Sequence, residues 1–325
     1  MILLAEIASM LWAGLGWPLI RLIILISIGL LVANFIESLN WTHRMARLSR
    51  PLIRIGHFSD ICGASFSMAF FSGVTANTML SEAYDKGRIN KQELILANLF
   101  NSLPIYFLHL PTMFFITMPL IKGAAFTYVG LTLVATLLRT VLVLLVGRAV
   151  LPVRLETGAE YKHETGRMKS WREAFKKAWR NYRKRIRRVI FFTIPIYTFF
   201  FLLNQAGLFK WLEHQMASHL FILSWLHPQS IGIVIFHIAA EFTAGLAAAG
   251  ALLDSGTLGH REIILALLVG NVLSSPIRAV RHQFPFYAGI FSTRLASELI
   301  IWSQSLRLAS VIVVGIAYYW ISIPL

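Results

Sequence analysis

The chain has 325 residues, 57% of them hydrophobic and 14% charged, and its mean hydropathy is +0.66. Soluble domains are about 45–50% apolar and about 25% charged, so this composition excludes a soluble globular domain and predicts an all-α integral membrane protein. The single cysteine, Cys62, excludes an intramolecular disulfide, and the sequence shows neither metal-ligand spacing nor a nucleophile–base pattern. We therefore expect no metal, no cofactor and no enzymatic activity.

In chain order, six apolar runs reach the roughly 20 residues that a helix needs to cross about 30 Å of hydrocarbon. The N-terminus, MILLAEIASM, has no basic region before its apolar run, so we expect the first span to stay in the mature protein. The predicted spans are 19–39, 94–120, 123–146, 189–209, 263–290 and 295–323.

Two further apolar stretches, 61–80 and 231–253, are rich in Gly, Ala, Ser and Thr rather than in Leu, Ile and Phe. The basic segments 40–57 and 154–188 are both expected in the cytoplasm by the positive-inside rule, so an even number of crossings must separate them. Because two predicted spans already lie between them, 61–80 must enter and leave the membrane on one side. We predict that it is a re-entrant hairpin that breaks within 72–75.

The same layout after the basic segment makes 231–253 a second re-entrant hairpin, with its break within 242–245. Each half of the chain then contains three crossings and one hairpin. Because three is odd, the second half must be inverted in the membrane relative to the first. We therefore predict a first repeat at 1–150, a cytoplasmic linker at 151–188 and a second, inverted repeat at 189–325, in a cytoplasmic (inner) membrane.

The formal net charge of +15 is concentrated in 154–188, which holds 13 lysine and arginine residues against 4 acidic ones. A polybasic segment between apolar spans is typical of a loop that faces anionic lipid, so we expect no nucleic-acid partner. Apolar side chains recur within it at helical spacing, which predicts an amphipathic helix on the inner leaflet, with a docking site for a soluble partner as the alternative. These side chains are Trp171, Phe175, Trp179, Tyr182 and Ile186.

A phrase from the first half returns in the second half. The sequence DKGRINKQELILANL begins at Asp85, the sequence DSGTLGHREIILALL begins at Asp254, and seven of their fifteen positions are identical. A chance likeness between two leucine-rich helix starts does not readily explain the shared Asp-x-Gly and glutamate, so the phrase supports an internal repeat. The identical pairs are Asp85 and Asp254, Gly87 and Gly256, Glu93 and Glu262, Ile95 and Ile264, Leu96 and Leu265, Ala97 and Ala266, and Leu99 and Leu268.

The stretch FSGVTANTML, followed by DKGRINKQELILANLFNSLP on the next helix, resembles the nucleoside-recognition (Gate) domain family. That family is similar to the spore maturation membrane proteins and to the paired gate domains of the ferrous iron transporter. The resemblance covers 61–146 and 231–323. It implies a membrane protein built from Gate repeats, with a role in transport or in spore assembly.

Ionisable and polar residues inside the apolar stretches are the candidates for function. His237 and Glu241 share a helix face at i,i+4, and an ionisable pair within an apolar span is costly enough to suggest proton coupling. The alternative is a neutral, hydrogen-bonded structural pair. Near the two predicted breaks, Ser72, Thr75, Asn77 and Thr243 either line a shared polar cavity or only allow close helix packing.

A second polar group follows Pro276, which is expected to kink its helix and free carbonyl groups. Arg278 and Arg281 follow the proline, and a planar guanidinium group can donate two parallel hydrogen bonds to a phosphate or carboxylate. We expect Glu298, Gln304 and Arg307 of the last helix to line the same site. The matching region of the first half has no arginine, so we expect a site with asymmetric charge. The further substrate-binding candidates are Asn101, Ser102, Asn271, Ser274, Ser275, Arg278, Arg281 and His282.

The main hypothesis is a permease that moves a polar or anionic solute, such as a nucleoside-like or phosphorylated compound, through a midplane site between the hairpins. One alternative is a flippase for a phosphorylated lipid of the polyprenyl type, with Arg278 and Arg281 at the headgroup. The other is a scaffold that assists envelope or spore assembly without transport. The sequence leaves open whether copies of the chain associate into a homo-oligomer.

Overall fold

The computed structural model describes residues 49–152, 225–240 and 242–323, and individual helical positions between residues 6 and 31 and between 172 and 206. Every regular element among these residues is a helix, which confirms the all-α prediction. The α-helices are α1 (Ser49–Ile55), α2 (Asp60–Ala69), α3 (Gly73–Asp85), α4 (Lys91–Phe100), α5 (Ser102–Ile121), α6 (Ala124–Val150), α7 (Ile231–Ala240), α8 (Phe242–Asp254), α9 (His260–Arg278), α10 (Phe284–Ala288) and α11 (Thr293–Ile321).

Three helical stretches of the described residues are long and apolar enough to cross a membrane. They are Lys91–Ile121, which comprises α4 and α5, Ala124–Val150, which is α6, and Thr293–Ile321, which is α11. They coincide with three of the predicted spans. The predicted spans 19–39 and 189–209 lie largely outside the described residues.

The outward faces of α6 and α11 are apolar. Phe126 on α6 is 61% exposed and Ile301 on α11 is 63% exposed, and many of their neighbours on the same faces are also exposed hydrophobic residues. Exposure of so continuous an apolar surface to water would be unfavourable, whereas contact with lipid tails carries no such free-energy cost. These faces therefore fit the lipid-facing sides of membrane helices.

The predicted span 263–290 is not one continuous α-helix, which corrects the sequence-based boundary. α9 ends at Arg278 and passes through a π-helical turn, Ala279–Gln283, into the short α10. Pro276 inside α9 has no N–H to donate to the preceding turn, and its ring crowds the carbonyl group four residues earlier. The wider π-helical turn that follows accommodates the hydrogen bond that Pro276 cannot form. Arg278 is the last residue of α9 before this turn.

The small-residue stretch 61–80 forms the first hairpin, α2 and α3. The Ser65 hydroxyl donates to the Ala76 carbonyl oxygen across it at 3.0 Å, so the two helices run antiparallel. The helices are interrupted at 70–72, which meets the predicted break near 72–75 at Ser72, and the Ser72 side chain accepts a hydrogen bond from the Thr75 N–H at 3.2 Å and so begins α3 at Gly73.

The second small-residue stretch, 231–253, forms the second hairpin, α7 and α8. α7 ends at Ala240 and α8 begins at Phe242, and residue 241 between them lies outside the described residues, so the predicted break near 242–245 stays a prediction. His237 of α7 packs closely on Gly245 of α8, which shows that this hairpin is folded back on itself like the first. Small residues permit the close approach of the two helices.

The repeated phrase forms the same turn in both halves. α3 and α8 each contain 13 residues and end at the aspartate of the phrase. Gly87 and Gly256 then both adopt a φ of +67°, and each glycine and its two neighbours donate to the same relative carbonyl groups at 2.9 to 3.1 Å. Each turn is closed by a buried apolar residue, Ile89 or Leu258. This is a helix C-terminus that favours glycine.

The glutamate of the phrase has a structural role in the first half. Glu93 is only 1% exposed, and its Oε1 accepts hydrogen bonds from the Ser59 N–H at 3.0 Å and from the Cys62 thiol at 3.5 Å. A carboxylate at the start of a helix is favourable, because the backbone N–H groups there lack partners. Glu93 therefore ties the start of α2 to the start of α4.

The two long helices α6 and α11 pack against each other in opposite directions. Tyr128, near the start of α6, belongs to a hydrophobic cluster against which Tyr318, near the end of α11, packs. Leu144, near the end of α6, shares another cluster with Leu299, near the start of α11. The middles of the two helices therefore lie level with each other.

α4 and α9 begin at opposite ends of α11. The Lys91 Nζ lies 2.5 Å from the Glu298 Oε2 at the start of α11, whereas the Arg261 Nε donates to the Ser322 hydroxyl at the end of α11, at 3.0 Å. Glu298 also lies 3.6 Å from the Arg294 Nε. The expectation that Glu298 lines a site with the arginines after Pro276 is therefore wrong, because its carboxylate is held by cations at the helix start.

We expect the substitutions Gly87→Ala and Gly256→Ala each to lower the free energy of unfolding by about 1–2 kcal/mol, because an alanine pays a steric cost at positive φ. No atom lies within 4 Å of a Cβ at either position, so crowding does not contribute. Thermal unfolding of the purified protein in detergent measures the effect.

The control for these substitutions is Gly130→Ala within α6, where a Cβ also meets no atom and φ is not positive. This change should preserve or raise the unfolding temperature. Equal unfolding temperatures for all three variants would contradict the role of the two turns.

Candidate functional site

Asn271 is the centre of a buried polar network. Its Oδ1 accepts hydrogen bonds from the Arg278 Nη2 at 3.0 Å and from the Arg307 Nη2 at 3.3 Å, and its Nδ2 donates to the Tyr128 hydroxyl at 3.4 Å. Asn271 and Tyr128 are both buried. We call these four residues the Asn271 network. It joins the first turns of α6 to α9 and to the middle of α11.

A second chain of hydrogen bonds lies beside this network. The Ser275 hydroxyl donates to the Gln304 Oε1 at 2.6 Å, and the Gln304 Nε2 donates to the Gln283 Oε1 at 2.7 Å. Ser275 is one turn after Asn271 on α9, and Gln304 is one turn before Arg307 on α11. The polar faces of α9 and α11 therefore meet, as the sequence predicted for Gln304 and Arg307.

Arg139, in the middle of α6, extends the site into the first half. Its Nε donates to the Ser102 hydroxyl at 3.2 Å and its Nη2 to the Thr136 hydroxyl at 3.4 Å. Arg139 is 8% exposed and lies within electrostatic range of Arg307. The first half therefore contributes a cation from α6, which lies outside the region that matches the one after Pro276, and the expected charge asymmetry stays a prediction. The signal was available, since Arg139 is a charge in the middle of an apolar span of 27 residues whose other charge, Arg148, lies in the last turn.

The site is strongly positive. Neither Arg139 nor Arg307 forms an ion pair with a carboxylate among the described residues; their hydrogen bonds go to hydroxyl groups and to the Asn271 amide. Arg139 is buried and Arg307 is half-buried, and cations in an apolar interior without a counter-ion are expensive, so the arrangement suits a negatively charged ligand.

His237 is fully buried next to this site. Among the described residues neither of its ring nitrogens has a hydrogen-bond partner. The ring lies against Phe242 with a centroid distance of 5.6 Å, and it sits so close to Gly245 and Gly270 that neither position has room for a side chain. It is within electrostatic range of Arg278. The predicted partner, Glu241, lies outside the described residues, so proton coupling stays a prediction.

The polar residues of the first hairpin form separate networks. The Asn98 Nδ2 donates to the Asn77 Oδ1 at 2.9 Å and to the Tyr287 hydroxyl at 3.2 Å, which connects α3 and α4 to α10. The Asn101 Nδ2 donates to the Ser65 hydroxyl at 2.8 Å inside the first hairpin. Asn98 and Tyr287 are therefore further polar contacts between the two halves.

Several predicted site residues are not part of the Asn271 network. Ser72 and Thr75 bond to each other at the start of α3, where they cap a helix. Ser274 is buried and donates weakly to its own helix at 3.4 Å, and His282 is exposed. Thr243 lies in the first turn of α8 and is partly buried. The side chain of Arg281 lies outside the described part of the structure.

An apolar groove of about 480 Å³ runs between α4, α6 and α11. Its lining on α4 and α6 includes Leu99 and Leu142, one helical turn from Ser102 and Arg139 respectively. The groove on the apolar surface therefore comes close in sequence to Ser102 and Arg139, although neither of them lines it. Its other lining residues are Gln92, Ile95, Leu96, Val143, Val146, Val150, Trp302, Ser305, Leu306 and Ala309.

The basic segment has helical positions where the sequence predicted an amphipathic helix. The Phe175 and Trp179 rings stack at 6.4 Å, Trp179 and Tyr182 lie 5.4 Å apart, and the Arg183 guanidinium covers Trp179 at 5.6 Å. The aromatic residues therefore share one face. Trp171 and the stretch before it lie outside the described residues.

We expect Asn271→Leu to lower the free energy of unfolding by about 1–3 kcal/mol, because two guanidinium groups lose an acceptor that they cannot replace in the interior. Asn271→Asp is the control, since it keeps the acceptor and adds a counter-charge, and it should unfold at or above the wild-type temperature. If Leu is tolerated as well as Asp, the hydrogen bonds to Asn271 do not hold the site together.

We expect Gly270→Ala to destabilise the protein by about 1–3 kcal/mol, because the new Cβ would lie 2.8 Å from the His237 Nδ1. His237→Ala removes the obstacle, so the double variant should regain much of the loss of the Gly270→Ala variant. A double-mutant cycle on unfolding temperatures measures this coupling. Additive effects would show that the two residues are not in contact.

Comparison with known proteins gives relatives of matching length. The chain is similar to three proteins of Methanocaldococcus jannaschii that are each named as uncharacterized. MJ0871 is 24% identical over 293 residues, 89% of each chain; MJ1556 is 24% identical over 286 residues, 86% of this chain and 88% of its own. MJ0880 is 24% identical over 281 residues, 84% and 88%. No family model and no solved structure matches the chain.

Proposed function

We propose that the protein is a membrane permease that moves a polar or anionic solute through a site centred on the Asn271 network. The observation that carries this proposal is the pairing of Arg278 and Arg307 on one neutral amide oxygen. An arginine in the middle of a membrane helix costs about 3 kcal/mol, and such residues usually mark substrate or ion pathways. A purely structural contact would be cheaper with neutral side chains.

An inverted-repeat architecture belongs to the same proposal. In its support, α3 and α8 begin and end at positions 169 residues apart and are followed by the same glycine turn. The corresponding long helices α6 and α11 run in opposite directions, and α4 and α9 start at opposite ends of α11. We propose a first repeat at 1–150, a linker at 151–188 and an inverted repeat at 189–325, as the resemblance to the Gate domain family implies.

Transport in such an architecture follows from relative movement of the repeats. The members of the Asn271 network come from both halves, and Asn271 and Tyr128 are buried, so a solute reaches them only when helices separate. The two hairpins break the regular backbone, which a membrane tolerates only where protein or water covers it. We propose that both hairpins re-enter the membrane and line the path to the site.

The surroundings of the transporter follow from its charges. We place the protein in the cytoplasmic membrane, with 40–57 and 154–188 on the cytoplasmic side and the aromatic face of the amphipathic helix on the anionic inner leaflet. Coupling to protons through His237 and Glu241 is a further part of the proposal. We propose no enzymatic step, because the described residues of the site offer cations and neutral amides and the sequence has no nucleophile–base pattern.

One observation favours the flippase as the second candidate. The lining of the apolar groove between α4, α6 and α11 comes within one helical turn of Ser102 and Arg139, so a lipid tail could lie there while its headgroup enters the polar interior. A scaffold without transport has no corresponding use for buried arginines.

Flux into proteoliposomes tests the proposed function. Wild-type protein is reconstituted and offered radiolabelled uridine, uridine monophosphate and inorganic phosphate. We expect uptake of at least one of them, and we expect Arg278→Gln and Arg307→Gln to reduce it by about tenfold or more, because a charge-assisted hydrogen bond is lost.

The matched control is Arg294→Gln, which removes an arginine whose side chain is 92% exposed at the start of α11. Its uptake should equal that of the wild type. Equal uptake by all variants would contradict the site, and absence of flux for all three solutes together with scrambling of a fluorescent phospholipid would favour the flippase.

A further inference from the structure

Arg139 and Arg307 occupy corresponding places in the two halves. They are 168 residues apart in the sequence, one in the middle of α6 and the other in the middle of α11. Because these helices are antiparallel and packed together, their middles lie level, and the two charges act on each other. The Arg139 guanidinium donates to Ser102 at the start of α5. The Arg307 guanidinium donates to Asn271 on α9.

Both guanidinium groups have N–H groups that form no hydrogen bond to a described residue. A guanidinium carries five N–H groups. In hydrogen bonds to described residues, Arg139 uses two of them and Arg307 uses one, and each acceptor is a neutral oxygen at 3.2 Å or more. Oxyanions accept shorter and stronger bonds from arginine than neutral oxygens do. The remaining donors are therefore suited to an anion.

The repulsion between the two cations also requires a negative partner. Like charges in an apolar interior are weakly screened, and the described residues supply no carboxylate that pairs with either arginine. An anion between them would convert a repulsion into two attractions. Two cations that face one another match a ligand with two negative charges better than one with a single charge.

We propose that Arg139 and Arg307 form a paired binding site for a phosphate group with two negative charges, with one arginine contributed by each half of the chain. This inference rests on the proposed function and narrows it, because it identifies the transported solute as a compound with a phosphate group. It also assigns Arg139 as a binding residue. The phosphate belongs either to a soluble compound or to a lipid whose chain occupies the groove between α4, α6 and α11.

Binding of inorganic phosphate to the full-length protein in neutral detergent tests the pair without any need for transport. We expect phosphate to raise the unfolding temperature of the wild type further at each higher concentration, with the logarithmic dependence of a bound ligand, while chloride at equal ionic strength does not. Arg139→Gln and Arg307→Gln should each weaken binding by about tenfold to a hundredfold, and the double variant should abolish it. Arg139→Lys should keep part of the affinity, because the charge remains.

The control is Arg148→Gln, which removes an exposed arginine from the last turn of α6 and should leave binding unchanged. Without ligand, the single Gln variants should be at least as stable as the wild type, because repulsion is relieved. A loss of stability in those variants with no response of the wild type to phosphate would overturn the proposal and make the two arginines structural residues.

Two further arms separate the sources of the phosphate. Native mass spectrometry with added phosphatidic acid reports a lipid-borne phosphate, and Leu142→Trp fills the groove next to Arg139. If the cargo is a lipid, this variant loses phosphatidic acid but keeps inorganic phosphate; if it is a soluble compound, phosphatidic acid binds no better than neutral lipid. Binding at the pair without flux in proteoliposomes would refute the transport proposal alone, whereas flux with no dependence on Arg139 would refute the paired site alone.

Discussion

The need of buried guanidinium groups for hydrogen-bond acceptors is the constraint on which this structure depends. Apolar contacts between helices are similar in kind to contacts with lipid, so they do little to fix how far one helix is shifted along another. The bonds from Arg139 to Ser102 and from Arg278 and Arg307 to Asn271 are directional and link four helices. They set the register of α5, α6, α9 and α11.

Much of the helical arrangement follows from the sequence, because length and hydropathy are local properties. Three spans were predicted within a few residues, and the Asp-x-Gly phrase marked both glycine turns. The exact bounds of the first break were not predictable, since a serine cap at Ser72 decides where α3 begins by a single hydrogen bond. The π-helical turn after Pro276 was beyond prediction because it depends on how the freed carbonyl groups are accommodated.

The site was predicted in part. Asn271, Arg278 and Gln304 come together as expected, since i,i+4 and i,i+7 spacings place residues on one helix face. Arg139 was missed, although its position in the middle of an apolar span was visible, because nothing in the sequence indicates that α6 lies against α11. Ser72 and Thr75 have a short-range use in capping, and such a use competes with any role in binding.

The position of His237 has a consequence for the way the protein moves. Its ring occupies the space left by one glycine on α8 and one on α9, so it interlocks three helices that cannot slide past it. These helices must therefore travel as one rigid body. The contact between α6 and α11 has no such interlocking side chain; it is bridged through Asn271, and the like charges of Arg139 and Arg307 repel each other across it. Separation of α6 from α11, while α7, α8 and α9 move together, is the motion that the packing permits.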